Sequence, residues 1–347
     1  MVNEEKTVSS DKFSPELLER RKRRMKWMDR IRRGKEITAV TVFVALLFML
    51  LWGGANAYFE ISGKNDQFTR AVETLAELHG SGMKVDHNFG TVSISPLLTQ
   101  TVTTRLYRQI GEWKIITGEL QAEKSLFGVL RYTIKEHPEY LESNSPASFG
   151  MPMSLVYGGT DGNRNKAEKV LKQLSRIEDG FVAEMGFSLG KGVAPDQLAE
   201  MLSGNDLRIM GMAVYSGEVK EVKVSNYSSS SDTIYAPHLT LRPYMAYSND
   251  GLGKTWFASI SKDNVKMSAD QMIKDLEWLT SRVSYNGADE DKQRLAYLKS
   301  NGIQVFGAVV TGPVRELEKL GQVPGLRDFR LGRIEVWNWE EHNTSKP

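Results

Sequence analysis

Between Ile37 and Phe59 the chain reads ITAVTVFVALLFMLLWGGANAYF, 23 residues without one Asp, Glu, Lys, Arg or His. About 20 apolar residues at a rise of ~1.5 Å cross a hydrocarbon core of roughly 30 Å, so this stretch has the length of one membrane span. It follows directly on a basic run: Arg20 to Lys35 carries ten basic residues against one acidic, Asp29, whereas the sixteen residues after Phe59 carry only Lys64 and Arg70. Lys and Arg are retained on the cytoplasmic side of short flanks, so residues 1–36 are expected inside and 60–347 outside. Trp52, Tyr58 and Phe59 stand where an outer aromatic belt would lie, and Trp27 falls in the inner flank. The rival reading is a cleaved signal peptide, because Ala55-Asn56-Ala57 has the small-x-small pattern of a cleavage site. Its basic region would run to about 36 residues, and its apolar core exceeds the roughly 7–15 residues of secretory signals. An uncleaved anchor fits better.

With 347 residues in all, the part beyond the span is long enough for one large or two modest domains. The formal net charge is +2. Ten of the cations are packed beside the span, which leaves the external part near neutral or acidic and excludes a nucleic-acid surface. There is no cysteine. That removes disulfide frameworks, thiolate catalysis and cysteine-ligated metal sites, and it suits a bacterial surface.

Ser14-Pro15-Glu16 forms a helix start, with Ser as N-cap and Pro at the first helical position. Leu17, Leu18, Met25, Met28 and Ile31 give that helix a broken apolar face among its cations, suited to lipid headgroups or to a partner. Past the anchor, Gln67–Leu78 has helical spacing and stops at His79-Gly80-Ser81-Gly82. Residues 85–133 are strand-like and make a small juxtamembrane β-containing module, 60–135, while 136–166 is rich in Pro, Gly, Ser and Asn and is expected to be a linker. Residues 167–340 hold a strand–helix–strand unit twice: Phe181–Leu189, a helix from Pro195 and Leu207–Tyr215, then Ile303–Thr311, a helix after Gly312-Pro313 and Arg333–Trp339. Between them lie a Ser-rich loop (Ser225–Ser231), a strand pair near Leu239–Ser248 and Lys254–Ile260, and helices from Ser268 and Asp289. The expected architecture is α+β: one transmembrane helix, then a mixed sheet with two βαβ units and helices on one face. Residues 341–347 are a tail.

Catalytic templates fail one after another. Gly251-Leu252-Gly253-Lys254-Thr255 contains GKT, but the leading glycine of a phosphate loop is Ser248 here and Phe257–Ile260 reads as strand, so Asn249-Asp250-Gly251 is a turn. Gly190-Lys191-Gly192 reads as a strand-to-helix turn. The histidines at 79, 87, 137, 238 and 342 are dispersed, with no metal-ligand spacing, and GxSxG does not occur. No cofactor is implied. Binding or regulation is expected rather than catalysis.

The stretch LKSNGIQVFGAVVTGP (Leu298–Pro313), with Gly302, Gly307, Thr311, Gly312 and Pro313, followed by Glu316-Leu317 and the terminal Val336-Trp337-Asn338-Trp339, resembles the C-terminal domain of the sigma-factor-regulator family, membrane-anchored anti-sigma factors of Gram-positive bacteria. Val182–Ser188 with the helix after Pro195 looks like the start of that domain, and the basic flank, the anchor and Leu106–Trp113 look like the family's membrane-proximal part. The resemblance implies that an extracytoplasmic-function sigma factor is restrained at the membrane, directly or through a small membrane partner, in response to an envelope signal. A tail of about 36 residues without cysteine is too short for a zinc-binding sigma-wrapping domain. The expected contacts are therefore Leu17, Leu18, Met25 and Met28, with Trp27 as an alternative. A surface binding protein of unrelated role, single-pass or secreted, is the other reading.

Overall fold

The computed structural model describes residues 15–80, 82–86, 90–137, 147–158, 167–224, 226–229, 233–248 and 253–340. Ser14, the side chains of Leu17 and Leu18, Ser225, Ser230 and Ser231 of the Ser-rich loop, the turn at 249–252 and the tail 341–347 lie outside them. The chain divides into two compact units, Met1–Tyr58 and Phe59–Pro347.

The first unit is helix α1 (Pro15–Ile61), which continues three residues past Tyr58. Every large apolar side chain from Ile37 to Trp52 points outward and exposed, an arrangement that costs heavily in water and nothing in lipid. The few polar groups in this stretch bond back to the helix: Thr38 and Thr41 hydroxyls donate to the carbonyls of Gly34 and Ile37 at 2.9 Å each, and the Asn56 amide to Trp52 at 2.8 Å. Among the described residues this is the one helix long and apolar enough to cross a membrane.

Phe59, the last residue of the apolar stretch, is buried and is the first residue of the second unit. After Gly63, whose φ of +65° only glycine adopts without strain, the chain forms α2 (Lys64–His79), buried on nearly all sides. Next come β1 (Lys84–Val85), β2 (Ser93–Ile94), β3 (Thr99–Ile110), β4 (Trp113–Ser125) and β5 (Arg131–Glu136). All pair antiparallel around the long β3–β4 hairpin, whose tip is Gly111-Glu112. The segment read as a linker contains β6 (Met151–Pro152) and α3 (Met153–Tyr157), and Phe149, Met151 and Val156 are buried, with the Gly150 N–H donating to Ser188 Oγ at 2.9 Å.

After α4 (Ala167–Leu174) come β7 (Phe181–Val193), α5 (Pro195–Leu202) and β8 (Arg208–Tyr215). The insert that follows holds β9 (Ser228–Ser229), β10 (Thr233–Tyr235), β11 (Leu239–Leu241), β12 (Met245–Ser248), β13 (Gly253–Trp256), α6 (Val265–Arg282) and α7 (Ala288–Asn301). The chain closes with β14 (Gln304–Pro313), α8 (Val314–Lys319) and β15 (Leu326–Val336).

The main sheet runs β11-β8-β14-β7-β15 and every neighbouring pair is antiparallel. The expected mixed sheet is thus corrected. The two strand–helix–strand units are present, but β14 lies between β7 and β8, and β7 between β14 and β15. Each crossover skips a strand that the other supplies, which is the split βαβ topology of ferredoxin-like domains. Strand patterns carry direction but not neighbours, so interleaving was invisible in the sequence. β15 also begins seven residues before the expected Arg333, because two register shifts against β7 and the positive φ of Asp328 break its alternation. Pro243, which has no N–H to give, separates β11 from the β12–β13 hairpin.

β7, β8 and β14 are buried on both faces. One large core gathers Leu75 and Leu78 of α2, Leu198 of α5, Leu276 of α6 and Leu317 of α8, and a smaller one gathers Phe149, Met151, Met210, Ile234 and Phe306. Removing one such leucine costs about 2–5 kcal/mol.

Candidate functional site

The β3–β4 hairpin ends in a socket made by the C-terminal half. Its tip needs Gly111, at φ +59° and so close to its surroundings that a Cβ would sit 2.3 Å from Asn338 Oδ1 and 2.9 Å from a Val182 methyl. The Gly111 N–H donates to Thr311 Oγ1 at 2.8 Å, and the Thr311 hydroxyl in turn donates to the Ala183 carbonyl at 2.9 Å. The Glu112 N–H donates to Asn338 Oδ1 at 3.1 Å, and the Trp113 indole to the Val336 carbonyl at 3.0 Å. The Glu112 carboxylate pairs with Arg208, whose guanidinium lies 4.8 Å from the Trp339 ring centroid. Trp339 donates to Asp206 Oδ2 at 2.6 Å and packs with Ile110 and Val182. One turn inward, Arg108 donates to Glu184 at 3.0 Å, both side chains buried.

The residues singled out by sequence resemblance therefore divide. Thr311 and Trp339 are brought together at the socket. Gly312 backs it, since a Cβ there would meet the Leu207 side chain at 2.5 Å and the Asp206 carbonyl at 3.0 Å. Pro313 caps α8, Gly302 ends α7 at φ +76°, and Gly307 lets the Phe149 ring lie against β14, where a Cβ would be 2.7 Å from it. Trp337 stays 48 % exposed against 5 % for Trp339. On α1, Met25, Trp27 and Met28 are 53, 63 and 54 % exposed, with Met25, Met28 and Ile31 on one face at helical spacing.

Charges that the sequence did not single out form a second set of contacts, from α2. Glu73 accepts from Lys254 at 2.7 Å. Glu77 accepts from Arg242 at 2.6 Å and from the Val85 N–H at 3.0 Å, while Arg242 also donates to Asp275 at 2.8 Å. Arg70 lies 4.0 Å over the Trp278 ring and 3.7 Å from Asp275. At the helix end, His79 and Tyr285 reach Asp291 at 3.1 and 2.8 Å. Burial opposes ionisation of Asp291, but these bonds together with the charges of His79 and Arg294 outweigh it and hold the carboxyl below its usual range. The signal that could have exposed this latch is the Glu73/Glu77 pair, four residues apart on a helix whose other faces are apolar.

The GKT fragment is a hairpin strand, with Lys254 opposite Tyr247 on β12. Among the described residues no group of three or more His, Asp or Glu side chains is placed to hold a metal ion. The geometry is that of two interlocked parts, a hairpin with its preceding helix and a split βαβ sheet, joined through buried polar contacts.

Residues 174–333 match the family model described as sigma factor regulator C-terminal, which spans the main sheet from the end of α4 into β15. That stretch is similar to a domain of the sigma factor regulators. Along 313 residues it is 22 % identical to the "Probable anti-sigma-M factor YhdL" of Bacillus subtilis (strain 168), covering 87 % of this chain and 80 % of that protein. No solved structure matches.

Proposed function

We propose that the chain is a membrane-anchored anti-sigma factor that holds an extracytoplasmic-function sigma factor inactive until an envelope signal reaches its outer domain. One observation carries this reading: a stretch similar to the sigma factor regulator domain, 174–333, shares its chain with an N-terminal helix whose large apolar side chains are exposed from Ile37 to Trp52. In this reading Ile37–Phe59 spans the bilayer, residues 1–36 are cytoplasmic and 60–347 extracytoplasmic. The likeness to an anti-sigma factor along most of the chain supports carrying that role across.

The contact to the sigma factor, or to a small membrane partner that holds it, is assigned to Leu17, Leu18, Met25 and Met28, with Trp27 beside them. Apolar side chains on a short helix drive a desolvated contact, while the surrounding arginines meet anionic lipid or an acidic patch. Deleting residues 1–30 with the anchor retained tests this, read by transcription from the cognate sigma promoter and by crosslinking of the tail. Derepression with loss of the crosslink is expected. Unchanged repression without any crosslink would leave a surface binding protein of unrelated role.

A further inference from the structure

A cavity of about 670 Å³ opens beside the socket, walled on one side by α2, β1, β3 and β4 and on the other by β8, β11, β12 and β13. Its size falls within the range of small-molecule sites. Two cations on its wall form no ion pair with a carboxylate among the described residues. The Lys84 ammonium donates to the Ala258 carbonyl at 2.7 Å, and the Lys114 ammonium stands 5.3 Å over the Tyr107 ring. Burial chiefly pulls the Lys84 ammonium down to about 8, opposed by the charge of Glu77 and aided by those of Lys114, Arg208 and Arg242. The carboxylates nearby are Glu77 and Glu112, committed to Arg242 and Arg208, and Asp86 near Tyr107. The rest of the wall is aromatic or thioether: Tyr107, Tyr244, Trp256, Phe257, Met83 and Met245. Flat rings and adaptable methionines favour a planar apolar body.

We propose that this cavity binds a small aromatic anion, its acid group received by Lys84 and Lys114 and its ring by Tyr107, Tyr244 and Trp256. A molecule there would touch both interlocked parts at once, so its arrival or departure acts on their junction. The site is argued from its own geometry and stands apart from the sigma factor reading.

The test uses the full chain in phosphatidylcholine nanodiscs and calorimetry with naphthyl phosphate and naphthoate, empty nanodiscs serving as the blank. At least one of the two acids is expected to bind with Kd below about 1 mM, and naphthol, naphthylmethylamine and inorganic phosphate at least about tenfold more weakly. Lys84→Met and Lys114→Gln are each expected to weaken the acid about tenfold, whereas Lys223→Gln, on an exposed residue away from the cavity, leaves it unchanged. Lys114→Gln carries the result if Lys84→Met unfolds. No binding of either acid, equal binding of naphthol or of the amine, or undiminished affinity in Lys114→Gln would overturn the proposal.

Discussion

Thr311 and Gly111, 200 positions apart, share a hydrogen bond of 2.8 Å in which the threonine hydroxyl accepts the buried amide of the hairpin tip. The same hydroxyl donates its proton to Ala183, so one side chain ties the hairpin to two central strands. Thr311→Val keeps the shape and strands the Gly111 N–H, for a loss of about 1–3 kcal/mol. Thr311→Ser, which keeps the hydroxyl, is expected to lose under about 1.5 kcal/mol, roughly what deleting one buried methyl costs. Urea unfolding of the full chain in detergent separates them. Equal losses would mean that the methyl, not the bond, holds the tip.

Two glycines of similar φ give a sharper contrast. Gly302 ends α7 at +76° with nothing within 4 Å of an added Cβ, whereas Gly111 at +59° has Asn338 at 2.3 Å. Gly302→Ala is expected to cost only its backbone strain, about 1–2 kcal/mol. Gly111→Ala adds a clash that pushes the tip out of its socket, and its cost is expected to exceed that of Gly302→Ala by at least about 1 kcal/mol. Trp113, whose indole is tied to Val336, reports the displacement by its fluorescence.

Thr311 and Gly312 stood out within one contiguous motif, Trp339 within the terminal run Val336–Trp339, and the hairpin run Leu106–Trp113 within a third. Nothing in them says that they dock, because a contact across 200 positions leaves no periodicity. The helices and the two crossovers were legible from apolar spacing and from their stop signals. The sheet order was not, since interleaved strands have the same alternation as adjacent ones. Glu73 and Glu77 were passed over for a different reason. A carboxylate on an amphipathic helix reads as its wet face, and only the fold supplies Lys254 and Arg242 to cover it.

Acid is expected to loosen the smaller core through His238, whose ring stands edge-on to Phe149 and Phe306 at 5.5 and 5.4 Å. Its neutral Nδ1–H donates to the Ala236 carbonyl at 3.1 Å. Burial chiefly pulls its pKa from 6.5 down to about 4, with the charges of Arg294 and His79 pushing the same way. Between those values the unfolded chain holds a proton that the folded one refuses. The contribution is therefore complete above pH 6.5 and lost as pH falls toward 4, by up to about 3 kcal/mol. His238→Phe should flatten the stability profile in that window. It should not alter the further loss below the ordinary carboxyl value of 3.8, where Asp291, held low in the fold, gives up its contribution. An unchanged slope between pH 6.5 and 4 would assign the acid sensitivity to another group.

The last prediction joins the latch to regulation. Only Ser62 and Gly63 separate α2 from α1, and Glu77 on α2 is buried against Arg242 of the insert that carries β11 and β12. Glu77→Gln keeps the volume and removes the charge, leaving Arg242 with Asp275 alone. The expected cost is about 2 kcal/mol, below the 3–5 kcal/mol of a fully orphaned buried charge because Asp275 remains. Amide exchange should quicken across residues 64–79 while β14, at the centre of the sheet, stays protected. If the outer domain controls the tail through α2, as the anti-sigma reading requires, repression at the cognate promoter weakens in the same variant. Arg242→Met should do the same, and the double variant should lose less than the sum of the two, since each single change already breaks the shared pair. Faster exchange in α2 with full repression would separate the latch from signalling, and unaltered exchange would mean that Glu77 and Arg242 do not hold the helix in place.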